Sequence, residues 1–156
     1  MTDISVRPAR RDDLAAVAEL RWQWAHERGR TPATTYEEFV PGFVEWARQH
    51  EASHRCLVLL RGDAVIGMAW LAILPRVPHP SSFDRTSGDV QCVYVTPAER
   101  NGGRGGLLIE AVLELARDLG LERVTVHSSE RATAAYSRHG FAVSPLLLQA
   151  DVTPFS

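Results

Sequence analysis

The chain contains no lysine: all 17 of its basic residues are arginine, and 19 acidic residues leave a formal net charge of -2. That absence excludes the phosphate loop that ends in Gly-Lys-Ser or Gly-Lys-Thr. An isoelectric point near 6.3 argues against the basic stripe a nucleic acid needs and against an anionic membrane as partner. Long apolar runs are missing too. None reaches the roughly 18 to 20 residues of a membrane span, and the N-terminus is too charged for a secretory signal. These absences lead us to expect a soluble, cytoplasmic protein with no nucleic-acid and no membrane partner. Cysteine is scarce: Cys56 and Cys92 both lie in apolar, strand-like runs, which favours burial over disulfide or metal chemistry. The six histidines show no metal-ligand spacing with them, so no metal is expected.

What remains is an ordinary globular composition. At 156 residues and 45% hydrophobic, the chain suits one domain, residues 1–156, with a proper core and no linker. A short strand, Ile4 to Arg7, ends at Pro8. Asp12 and Asp13 open a helix to about His26 with Leu14, Val17 and Leu20 inward, and a second helix covers Thr35 to Gln49 with Phe39, Phe43 and Trp46 on one face. Cys56 to Leu60 and Ala64 to Leu74 read as a hairpin turning at Arg61-Gly62-Asp63. Pro75 to Gly88 reads as a proline-stiffened loop. Val90 to Val95 is the next strand, then a helix from about Gly103 with Leu108, Val112, Leu115 and Leu119 at helical spacing and a stop at Gly120. A strand at Val124 to His127, a helix around Tyr136 and a strand pair within Phe141 to Val152 complete the chain. Hairpins together with strand-helix-strand units predict a mixed sheet.

The run Arg100-Asn101-Gly102-Gly103-Arg104-Gly105-Gly106 joins that strand to that helix. Glycines leave backbone N–H groups unshielded, and a helix start offers unpaired donors with the positive end of its dipole, so the run has the makings of a pyrophosphate cradle. The dinucleotide pattern G-x-G-x-x-G does not fit, because Leu108 stands where its third glycine belongs. The pattern [Arg/Gln]-x-x-Gly-x-[Gly/Ala] does fit, through Arg100, Gly103 and Gly105. In this it resembles the acetyl-CoA loop of the GCN5-related N-acetyltransferases (GNAT). A second segment, Ser129 to Phe141, resembles that family's later signature Asn-x-x-Ala-x-x-x-Tyr-x-x-x-Gly-Phe through Ala132, Tyr136, Gly140 and Phe141, with Ser129 in place of asparagine.

The resemblance implies a single-domain α/β (α+β) GNAT fold: a mixed, mostly antiparallel sheet flanked by about four helices and splayed between strands 4 and 5, here those of Val93 and Val126. It implies acetyl-CoA as cofactor and the transfer of its acetyl group to a primary amine of a small molecule or peptide by direct attack in a ternary complex. Val93, Tyr94 and Val95 would offer backbone to the pantetheine arm, with N–H groups of Cys92 to Val95 freed by a bulge for the oxyanion. Residues 100–106 would hold pyrophosphate, Arg100 steadying the loop or approaching phosphate and Arg104 often directed to solvent at this position. Ser129 and Ala132 would border the cofactor, Ser129 either bonding the pantetheine arm or capping a helix.

Aminolysis of a thioester needs a proton acceptor, because an amine with a pKa near 10 is mostly ammonium at neutral pH, and an acid for the departing thiolate. By resemblance Tyr136 is the acid. Asp89, eleven residues before Arg100, stands at the offset of a catalytic glutamate in the histone-acetylating branch; water can relay for it, and a polar strand-edge residue is the competing reading. Glu99, beside the loop, is a base in principle, but glutamate there more often faces solvent; His127, ending its strand toward the cleft or the core, reads as structural. The acceptor would enter past residues 28–35 and 75–88, which nominates Trp24, Arg76 and His79 as substrate contacts; Trp22, Trp24 and His26 equally suit a core. Pro145-Leu146-Leu147-Leu148 suits either pairing into a homodimer, as many relatives pair, or the core. A non-catalytic acyl-CoA sensor or scaffold is the alternative from another class.

Overall fold

The computed structural model describes residues 3–153. In chain order the elements are β1 (Ile4–Pro8), α1 (Leu14–Glu27, entered through a 3-10 turn at Arg11–Asp13), α2 (Tyr36–Gln49), β2 (His54–Arg61), β3 (Ala64–Arg76), β4 (Arg85–Val95), α3 (Arg104–Asp118), β5 (Val124–Val126) and α4 (Thr133–Arg138). The strands form one sheet in the order β1-β2-β3-β4-β5, antiparallel throughout except for the parallel pair β4 and β5. Strand alternation sends two sets of apolar side chains to opposite faces. Leu57, Leu59, Ile66, Ala69, Leu71, Val90 and Val95 pack on Leu108, Val112 and Ala116 of α3. Val58, Leu60, Met68, Trp70 and Tyr94 pack on Leu14, Val17 and Leu20 of α1 and Ala47 of α2. Cys56 and Cys92 join this second face as expected, and burial pushes both thiols above their ordinary pKa. No helix among the described residues is long and apolar enough to cross a membrane.

Two features of β4 set the geometry of its C-terminal end. Its pairing with β5 covers Gly88–Val90 against Val124–Val126, whereas β4 itself runs on to Val95, so its last residues have no β5 neighbour. This is the splay that the resemblance implied. Opposite β3, Met68 pairs with Tyr94 but Trp70 pairs with Gln91, so Ala69 faces two residues, Cys92 and Val93. Cys92 sits at φ 57, the left-handed region seldom used by residues other than glycine. A bulge is therefore built into the strand.

The expected elements differ from the observed ones in two places, and the setting of Asp89 changes with the first. The loop expected over residues 75–88 is strand at both ends: β3 reaches Arg76 and β4 starts at Arg85, with a bridge between His79 and Ser82 near the tip. Pro75 does not stop the ladder because of strand parity. Ile73 N–H donates to Ser53 O on the β2 side, so the position two residues on points the same way, past the end of β2, where no donor is needed. Asp89 consequently lies inside β4, paired with Ala72 and Thr125, and not at a strand edge. The strand pair expected within residues 141–152 does not form. Three consecutive leucines after Pro145 cannot alternate, and Leu146, Leu147 and Leu148 are 89%, 61% and 86% exposed, so this run does not fill the core.

Candidate active site

The glycine run follows β4 through a 3-10 turn at Pro97–Glu99 and enters α3 with Gly103 as N-cap. Asn101 at φ 69 and Gly103 at φ 74 are both left-handed, and no side chain caps the helix. The first N–H groups of α3 are thus left for a ligand, the arrangement an anion requires. Arg100 does not reach outward. Its Nε donates to Val95 O at 2.8 Å, an Nη donates to Glu27 at 3.0 Å, and the guanidinium carbon lies 5.2 Å from the Tyr94 ring centroid. Of the two roles weighed for it, the geometry displays the one that steadies the loop.

Arg104 departs from the expectation that it faces solvent. Its side chain folds back over the loop, with Nη1 3.3 Å from Glu99 O and 3.7 Å from Glu99 Oε1. A Cβ on Gly102 would come within 2.7 Å of that Nη1, so the glycine makes room for the guanidinium. The Arg104 Nε is buried and has no hydrogen-bond partner among the described residues. A guanidinium held beside an uncapped helix start gives the turn the positive potential that suits a polyanionic group. Glu99 is not solvated either. Arg61 donates to it at 2.8 and 2.5 Å, and that bond holds its carboxyl below the usual range, which disqualifies it as a base at neutral pH.

On the α1 and α2 face of the sheet, Tyr94 donates to Glu27 at 2.8 Å and stacks on Trp24 with ring centroids 5.4 Å apart. Burial and the Glu27 bond push its phenol up to about 12. Asp89 accepts from Thr125 Oγ1 at 2.9 Å and from Gln91 Nε2 at 3.1 Å. Tyr136 is buried on α4, its ring 5.3 Å from that of Phe141, and its hydroxyl bonds to no other described residue. Burial raises its pKa, keeping the phenol protonated. It lines a cavity of about 520 Å³ with Val124, Thr125 and Val126 of β5 and with Ser128 and Thr133. Asp89 does not line that cavity; the two meet through Thr125, which bonds Asp89 and lines the cavity.

The remaining nominated residues divide. Val93, Tyr94 and Val95 occupy the part of β4 that has parted from β5. Ser129 accepts from the Ala132 N–H at 3.3 Å in the turn before α4, but the N-cap residue is Ala132 and no side chain caps the helix, so Ser129 braces the turn and is not the cap weighed for it. His127 is exposed at the end of β5. Trp24 belongs to the Tyr94 cluster. Arg76 and His79 do not come near it: Arg76 is four residues beyond Ala72 along β3, roughly 13 Å from the Asp89 row at strand spacing, and His79 bonds Ser81 at the hairpin tip. Sequence reasoning missed Glu27, Arg61 and Thr125. No local signal marks Glu27, whose bond to Tyr94 spans 67 positions.

With this geometry in view, the comparisons are direct. Residues 14–141 match the sequence model of the Acetyltransferase (GNAT) family. The chain is 41% identical over 138 residues to an amino-acid acetyltransferase of Mycobacterium tuberculosis, covering 87% of this chain and 67% of that one. It is 30% identical over 88 residues to a glucosamine 6-phosphate N-acetyltransferase of Trypanosoma brucei brucei, covering 56% of this chain and 58% of that one, so the match spans little more than half of this relative. A predicted acetyltransferase of Clostridium acetobutylicum crystallised with acetyl-CoA has the same fold, with a TM-score of 0.77 at 14% identity over 96% of both chains.

Proposed function

Because this chain belongs to the GNAT acetyltransferase family, we infer that it moves the acetyl group of acetyl-CoA to a primary amine of a small molecule or peptide by direct attack in a ternary complex. The observation that carries the reading is β4 and its exit: a bulge at Cys92–Val93, an end from Tyr94 to Val95 that has no β5 neighbour, and after it an open glycine turn with uncapped helix donors. The relatives named for amino-acid and glucosamine 6-phosphate acetylation support a small amine as acceptor.

Acetyl-CoA supplies an activated thioester, and the protein's residues bind, orient and move protons. The N–H groups of residues 101–106 hold pyrophosphate, with the Arg104 guanidinium adding positive charge behind them. The freed edge of Val93 to Val95 receives the pantetheine arm. Backbone N–H groups of Cys92 to Val95, at the bulge and beyond it, stabilise the developing oxyanion, a contribution on the order of 3 kcal/mol for each donor. Asp89, held in place by Thr125 and Gln91, takes a proton from the incoming ammonium, directly or through water. Tyr136, kept protonated by burial and with its hydroxyl unengaged, protonates the departing thiolate. No cysteine nucleophile is needed, and the raised thiols of Cys56 and Cys92 suit none.

Thiol release from acetyl-CoA across amino acids, amino sugars, polyamines, aminoglycosides and short peptides tests the reading, with Tyr136→Phe and Asp89→Asn alongside. Turnover of one amine class, with both variants losing kcat while retaining acetyl-CoA binding, is the expected result. Binding of acetyl-CoA, seen as a raised Tm, with no release for any amine would replace the enzyme with an acyl-CoA sensor.

A further inference from the structure

Five arginines among the described residues are half-buried: Arg7, Arg21, Arg61, Arg85 and Arg104. Four of them face a carboxylate, namely Asp13, Glu99, Glu122 and Glu99 again. Arg21 pairs with none and donates no hydrogen bond to a described residue; what it touches is the Trp24 ring, 4.9 Å from its guanidinium carbon. A ring face compensates a withdrawn cation only in part and leaves the donors of the guanidinium fork open.

Its position gives that open fork a purpose. Arg21 is on α1, one turn before Trp24, which stacks on Tyr94 next to the β4 bulge. Its charge is felt at Cys92, the bulge residue, where it opposes the effect of burial. It also lines a cavity of about 270 Å³ with Trp22, Ala25 and His26 of α1, with residues 32–34 and with Phe39, and none of those neighbours is a carboxylate. The cavity is mostly apolar, of a size for a small molecule, and has one fixed cation.

Resting on the acetyltransferase reading, we propose that Arg21 is a specificity-determining residue that receives an anionic group of the acceptor, so that the substrate is a small amine carrying an oxyanion, carboxylate or phosphate. A planar guanidinium with free donors matches either group bidentately, and the surrounding apolar wall makes the pairing stronger than it is in water. An amine without the anion leaves the guanidinium facing a mostly apolar wall with no partner, which is how a polar pocket rejects an analogue.

The test compares kcat/KM for matched acceptors that differ only in charge: each L-amino acid against its carboxamide, and glucosamine 6-phosphate against glucosamine. Wild-type protein, Arg21→Gln and Arg21→Lys are run together, with Tm and acetyl-CoA affinity by calorimetry confirming that the variants are folded. The wild type should prefer the charged member, and Arg21→Gln should lower the charged-to-uncharged ratio about 10- to 100-fold, mostly through KM. Arg21→Lys should restore part of the ratio, since it keeps the charge and loses the fork. Whether the amino-acid or the phosphate pair responds identifies the oxyanion. A ratio unchanged in Arg21→Gln, with both members slowed alike, would make Arg21 a packing residue and overturn the proposal, as would a wild type that prefers the uncharged members. Those outcomes leave acetyl transfer intact; a wild type that acetylates no amine of either kind overturns the parent reading as well.

Discussion

Replacing Gly67 with alanine places a methyl group where β3 and β4 already touch. Gly67 pairs with Val95, and a Cβ there would meet the Tyr94 carbonyl oxygen at 2.9 Å and Leu59 Cδ2 and Cβ at 3.1 and 3.2 Å. Leu59 is fully buried and cannot retreat, and the carbonyl is backbone, so the strands must part. Overpacking of this kind costs about 1–3 kcal/mol, and alanine's smaller freedom in the unfolded chain returns about 0.4–1, leaving a net loss of roughly 1–2 kcal/mol. At about 2–4 °C per kcal/mol for a chain of this size, Tm should fall by about 2–8 °C in thermal denaturation. The functional effect should be larger. The Tyr94 carbonyl shares its peptide plane with the Val95 N–H, a donor assigned to the oxyanion, and a tilted donor keeps only part of its contribution of on the order of 3 kcal/mol, so kcat should fall roughly 10- to 100-fold. Gly102→Ala is the control for stability, because its Cβ meets only the mobile end of Arg104, and Tm should hardly change. Wild-type Tm and kcat in Gly67→Ala would refute the close approach of the strands; a lowered Tm with full kcat would remove the Val95 amide from the mechanism.

Tyr136→Phe should lower kcat by about 100-fold or more, the usual weight of a general acid, with acetyl-CoA affinity retained. Because burial raises its pKa, any alkaline limb due to Tyr136 in the wild-type profile should lie above the ordinary tyrosine value. Glu27→Gln should bring the Tyr94 phenol down from about 12, read by near-ultraviolet absorbance titration, and free Arg100 from its carboxylate; a phenol that stays at its wild-type pKa would mean burial alone sets it. Asp13 is held below the usual carboxylate range chiefly by its bond from Arg7. A depressed folded pKa gives stability that is present above the unfolded value, near 4, and is lost as pH falls through the folded one. Asp13→Asn should therefore lower Tm at pH 7, and the gap to wild type should shrink in scans below about pH 4; a gap independent of pH would point to packing.

Local patterns identified most of the fold because the interactions behind them are local. The spacing of Leu108 and Val112, the turn at Gly62 and the stop at Gly120 each depend on neighbours a few residues away, and all stand where expected. The glycine run was legible for the same reason: backbone exposure at 102–106 is a property of those residues themselves. The arm made by Ile73–Arg76 and Arg85–Gly88 reads as loop in the sequence, because what rescues Pro75 is the point at which β2 ends, a fact about another strand. The failed C-terminal strand pair is the converse, a stretch with strand-like composition and no partner at the β5 edge.

By itself, then, the sequence determined the family and the order of elements as far as α4, and it located the glycine turn proposed for the anion and the phenol and carboxylate proposed for proton transfer, since each is carried by a residue type at a fixed spacing. Tertiary structure alone decided which charges are spent on one another. Arg61 and Arg104 hold Glu99, Glu27 holds Tyr94 and Arg100, and Thr125 holds Asp89, whereas Arg21 is left beside the bulge with an aromatic ring for company. Charge pairing acts over a few ångströms of space and not along the chain. Partners such as Glu27 and Tyr94, 67 positions apart, become neighbours only when the sheet and α1 are assembled.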